Sequence, residues 1–107
     1  MKLVRDRIPE LAGAGQPGIF HQATEAEYGR LLRAKLLEEA AEAAGAPGPA
    51  ELLDELGDVL QVLYALAADA GLAAAEIECA RARKAHTTGA FTRRVVWHDP
   101  VAREDIP

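Results

Sequence analysis

Residues 24–44 read TEAEYGRLLRAKLLEEAAEAA, and the fold turns on how that run sits on a helix. Thr24 suits a helix start, and Glu27 three positions later can return a hydrogen bond to it, so the pair predicts a capping box. At about 100° per residue, Tyr28, Leu31, Leu32 and Leu36 share one arc, which predicts an amphipathic helix. Glu39 and Glu42 fall inside that same arc, and Glu38 lies at its edge. Acids of a solvated helix face would sit on the opposite side. These instead continue the apolar stripe. The helix is expected to stop at Gly45-Ala46-Pro47-Gly48.

Working outward, Pro49 suits the first turn of a second helix, and Glu51 favours its dipole. That helix should run to about Ala70, with Gly71 supplying the residue past its end. Leu52, Leu53, Leu56, Val59, Leu60, Leu63 and Leu66 mark its expected buried face. Glu55 lies at one edge of that face, in line with Val62 and Leu66, and Asp58 is beside it. A third helix is expected from about Ala73 to His86, ending near Thr88-Gly89, with Cys79 as a small packing residue. Lys2 to Ala12 reads as an extended start followed by a brief helix. Short strands are expected at Ile19 to Ala23 and Phe91 to Trp97, with Phe91 and Trp97 in a core or an interface. Gly13-Ala14-Gly15-Gln16-Pro17-Gly18 fits GxGxxG in letters only. It follows a helical segment and opens no helix, so it reads as a loop and not as a dinucleotide site.

The 107 residues make one thin-cored domain, half hydrophobic but poor in aromatics, which suits closely packed helices. The class is therefore all-α: three main helices with short terminal extended segments, the bundle completed by pairing with another copy. A net charge of −5 argues against a nucleic-acid-binding domain. Cys79 is the one cysteine, which excludes an intrachain disulfide and argues against a zinc cluster. Met1 to Asp6 turns charged at once, and no apolar run approaches a membrane span, so a cytoplasmic protein without membrane contact is expected.

Carboxylates turned toward a core are costly unless something neutralises them. Lys35 is the cation that shares the face of Glu39 and Glu42, so the acids outnumber their local countercharge. A divalent cation resolves the deficit. The candidate ligands are all oxygen donors and no histidine is near them in sequence, which favours Mg²⁺, Mn²⁺ or Ca²⁺ over zinc or copper. Mg²⁺ commonly takes a few carboxylates plus substrate phosphates, so the cluster points to phosphate chemistry.

Glu38-Glu39-x-x-Glu42 followed by Glu55-x-x-Asp58 resembles the EExxE…ExxD signature of MazG-like, all-α nucleoside triphosphate pyrophosphatases. Residues 2–9, KLVRDRIP, resemble the KLVRDKIP opening of that superfamily's short phosphoribosyl-ATP-pyrophosphohydrolase-like branch. Lys84 with Gly89-Ala90-Phe91 resembles the branch's lysine and GGF ending, with Ala90 in place of the second glycine. Gly57 stands where alanine is common in the family.

The resemblance implies a MazG-like domain over residues 1–97 and a tail over 98–107. It implies Mg²⁺, with Mn²⁺ as a substitute, held by Glu39, Glu42, Glu55 and Asp58, while Glu38 ligates further or orients the attacking water beside Glu39. It also implies a homodimer or dimer of dimers. The expected reaction converts a nucleoside triphosphate to its monophosphate and pyrophosphate, plausible as house-cleaning of non-standard nucleotides. Lys35, Lys84 and Arg5 are candidate contacts to the phosphates. The alternatives are phosphoribosyl-ATP hydrolysis and a non-catalytic nucleotide-binding regulator.

Overall fold

The computed structural model describes residues 1–12 and 19–98. The glycine-rich run 13–18 and the tail beyond His98 lie outside the described residues. Four helices follow in order: α1 (Ile8–Leu11), α2 (Glu25–Ala44), α3 (Pro49–Asp69) and α4 (Ala74–Thr88). The chain is all-helical, with three main helices, and no strand occurs among the described residues.

The helix ends follow local chemistry. Thr24 Oγ1 accepts the Glu27 N–H at 3.2 Å, while the Glu27 carboxylate accepts the Thr24 N–H at 3.0 Å, completing the expected capping box. Pro49 occupies the first turn of α3, where its missing N–H costs nothing. At the other end Leu72 donates to the Ala67 carbonyl at 2.7 Å and Gly71 to that of Ala68 at 3.0 Å. This pairing needs a left-handed residue past the helix, and Gly71 supplies it at φ 78°. α4 begins with the Glu76 carboxylate accepting the Ala73 N–H at 2.7 Å. It ends at Thr88, where Gly89 turns the chain at φ 86°, the expected stop.

Two compact units divide the chain, Met1–Leu72 and the residues from Ala73 onward. In the first, α2 and α3 pack as an antiparallel pair. A Cβ added at Gly29, near the start of α2, would lie 3.4 Å from the Asp69 carboxylate at the end of α3. Leu32, Val62 and Ala67 are buried, Leu32 to 2 % exposure, and Glu39 is buried among them at 7 %. No single helix among the described residues is long and apolar enough to cross a membrane.

Three expectations need correction. The segments at 19–23 and 91–97 form no ladder; Arg94 adopts φ 60° and its N–H closes a turn on the Phe91 carbonyl, which breaks the extended run. Phe91 and Trp97 are exposed and so lie outside the core, as does Cys79. The inward face of α3 is also rotated from the expected one. Leu52, Leu53, Leu56 and Leu60 are exposed, whereas Val59, Leu63 and Leu66 of the expected face are half-buried together with Glu55 and Asp58, and Val62 is buried. Two apolar stripes compete on α3, and the wheel alone ranks the richer one first. Packing on α2 selected the stripe that contains the acids.

Candidate metal centre

Glu39 and Glu42 are three residues apart on α2, so their carboxylates project from one side of successive turns. The antiparallel pairing sets Glu55 of α3 opposite them. One carboxylate oxygen from each of Glu39, Glu42 and Glu55 lies within 4.8 Å of the others. Two of the three residues are drawn from the protein's interior, Glu39 fully and Glu55 partly. Glu39 Oε2 and Glu55 Oε2 are buried and have no hydrogen-bond partner. Three carboxylates so placed repel one another unless a proton or a cation stands among them.

The surrounding cations cover the rim and leave the centre. Arg5 Nη2 donates to Asp58 Oδ1 at 2.6 Å, across 53 residues of chain. Lys2 Nζ lies 3.4 Å from Glu38, and Lys35 Nζ lies 3.5 Å from Glu38 and 3.3 Å from Glu39 Oε1. Five acids therefore meet three cations, a smaller deficit than the sequence suggested. Among the described residues no salt bridge reaches Glu42 or Glu55. The remaining imbalance sits where the orphaned oxygens are.

The carboxyl groups respond accordingly. Loss of water pushes Glu55 above its ordinary value; a hydrogen bond with Glu42, which requires a proton, and the charges of Glu42, Asp58 and Glu39 push it further. Desolvation also acts upward on Glu38, but the hydrogen bond from Lys2 and the charges of Lys35 and Lys2 together outweigh it and hold that carboxyl below its ordinary value. Glu38 is thus a settled anion, and Glu55 is the strained one.

An oxygen-only set with orphaned buried acceptors fits a hard divalent cation, which prefers carboxylates and carries the missing charge. Of the expected ligands, Glu39, Glu42 and Glu55 converge. Asp58 lies one turn along α3 and is held by Arg5 outside that trio. Glu38 is at the rim, where the helical wheel put it. Lys35 stands beside the trio with its side chain largely buried, and Arg5 reaches the same region from the N-terminal segment. Lys84 is exposed on α4, in the second unit. Lys2 was not foreseen. Its only signal was its place three residues before Arg5 in the N-terminal motif.

The helical pair turns a carboxylate cluster into its groove, and the family that the chain matches is one of pyrophosphohydrolases in the MazG-like superfamily. The sequence profile of the phosphoribosyl-ATP pyrophosphohydrolase family matches residues 5–86, and the chain belongs to that family. The match spans Arg5, all five acids and Lys84. No curated protein and no solved structure matches the chain.

Proposed function

We propose that the chain hydrolyses a nucleoside triphosphate to its monophosphate and pyrophosphate, using a divalent cation held by Glu39, Glu42, Glu55 and Asp58. The observation that carries this reading is the trio of converging carboxylates with two buried, unpartnered oxygens. When bound, Mg²⁺, or Mn²⁺ in its place, would supply the positive charge that neutralises the triphosphate.

The chain's own residues do the rest. Arg5 is exposed beyond its contact with Asp58, so it is placed to transfer from that carboxylate to a substrate phosphate and release Asp58 to the cation site. Lys35 stays between Glu38 and Glu39 and offers a second positive charge to the phosphates. Glu38, kept ionised by Lys2 and Lys35, accepts a hydrogen bond from water and orients it. The water oxygen bonds to the α-phosphorus as its proton passes by way of Glu38 to solvent, the bond from that phosphorus to its bridging oxygen breaks, and pyrophosphate leaves with the electron pair. Lys84 is assigned to the phosphates on motif grounds alone. The exposed leucines of α3 offer a surface on which a second copy would complete the bundle.

Glu39→Ala and Asp58→Ala should each lower Mg²⁺-dependent pyrophosphate release roughly hundredfold or more, with helix content by circular dichroism unchanged. Undiminished turnover in either variant would overturn the assignment. The family match supports a second reading, in which the substrate is phosphoribosyl-ATP. Binding of Mg²⁺ and triphosphate without turnover would instead indicate a non-catalytic regulator.

A further inference from the structure

The five acids of the site are not all in the same state. Glu39, Glu42 and Glu55 converge, while Asp58, one turn past Glu55 on α3, stands outside the trio. It is close enough for its charge to act on Glu55. Its partner is Arg5, whose Nη2 donates to Asp58 Oδ1 at 2.6 Å. A guanidinium does not give up its charge at any ordinary pH. The oxygen it holds is therefore closed to a cation, because the two positive charges repel at that distance.

The segment that carries Arg5 is seated but lightly tied. Leu3 and Val4 are half-buried and line a groove of about 370 Å³ together with Tyr28, Leu32 and Val62 of the helical pair. To one side Lys2 meets Glu38 of α2, and to the other Arg5 meets Asp58 of α3. Three residue steps reach at most about 11 Å, against roughly 8–10 Å between packed helices, so Lys2 to Arg5 is long enough to cross from one helix to the other. Among the described residues no backbone hydrogen bond ties the segment to either helix. α1, which follows it, has no buried residue and packs on neither. More than half of each basic side chain is exposed, so water and a competing anion can reach both pairs.

We propose that Arg5 is a latch on the fourth ligand: in the resting chain it withholds Asp58 from the cation, and the polyphosphate of an arriving substrate draws it off. The inference rests on the cation-site reading given under the proposed function and adds a regulation to it. It holds for either substrate, since a nucleoside triphosphate and phosphoribosyl-ATP carry the same triphosphate. Charge decides which ligand opens the latch. Five acids against Lys2, Arg5 and Lys35 leave a deficit of two. One divalent cation balances that deficit with the latch still closed. A triphosphate then brings several further negative charges, and a guanidinium pairs with phosphate in the same two-pronged way as with carboxylate. The fourth carboxylate thus becomes available when there is an anhydride to cleave, and the resting chain holds a bare cation with three.

Calorimetric titration with Mn²⁺ alone tests the latch in wild type, Asp58→Asn, Arg5→Gln and the double variant, with circular dichroism to check that each is folded. Asp58→Asn should bind Mn²⁺ within about twofold of wild type. Arg5→Gln should bind it about tenfold tighter, and the double variant should lose most of that gain, because the gain needs the freed carboxylate. A gain that survives in full in the double variant is bulk electrostatics and overturns the latch. So does a tenfold loss in Asp58→Asn with Arg5 intact, which makes Asp58 a ligand already at rest. In wild type the Arg5 Nε–Hε resonance should shift when Mg²⁺ and inorganic tripolyphosphate are both added, but not with Mg²⁺ alone; the opposite pattern, or no shift in either case, refutes the trigger. If neither wild type nor Arg5→Gln binds Mn²⁺, the cation reading fails and the latch with it. Wild-type binding that ignores both substitutions sinks the latch alone.

Discussion

Glu55 holds the least favourable charge of the site, because it has lost water, faces Glu42, Asp58 and Glu39, and has no cation in contact. Its carboxyl is raised above the ordinary 4.5 in the folded chain. For an acid shifted upward, the stabilising contribution is fully present below the ordinary value and is lost as pH rises through the folded one. In chelator at neutral pH, Glu55→Gln should therefore raise the thermal midpoint, and the gain should shrink as pH falls toward 4.5. With Mg²⁺ present the order should reverse, since the variant lacks a ligand. Differential scanning calorimetry across that range checks both; a lower midpoint for the variant in chelator at neutral pH would sink the account. Glu38 runs the opposite way. Its lowered carboxyl contributes stability above the ordinary value that is lost as pH falls through the folded one. The identity of these acids was legible because they interrupt an apolar stripe at helical spacing. Their partners were not: the Arg5–Asp58 contact spans 53 residues, and no local pattern encodes it.

At the scale of elements, α2 and α3 hold the site by facing each other. α2 was readable end to end, since its cap, its stripe and its glycine stop are all local signals. α3 was readable in extent, but its inward face was not, because leucines flank both sides of the helix. Leu32 is the most buried side chain and lies between the acidic end and Tyr28. Leu32→Ala should cost about 3 kcal/mol, read as a shift of the urea midpoint at unchanged slope. The Arg5–Asp58 pair is a different case. Both side chains are more than one-third exposed, so its breakage should cost only about 0–1 kcal/mol.

The whole chain exposes more apolar surface than its short core explains. On α3, Leu53, Leu56, Leu60 and Tyr64 recur at helical spacing with 70 %, 51 %, 45 % and 42 % exposure, an outward stripe of the kind that marks an interface. If a second copy covers it, Leu60→Glu should halve the mass seen by analytical ultracentrifugation, while an unchanged sedimentation profile would exclude this face from the interface. The sequence by itself determined the all-helical class and the limits of α2 and α3, because caps, stops and periodicity act within a few residues of chain. Only the tertiary structure decided which stripe of α3 packs on α2, which three carboxylates converge, and which cations from the N-terminal segment reach the rim. Those choices depend on the pairing of residues far apart in sequence, where competing apolar faces and long side chains leave several arrangements open until the helices are packed.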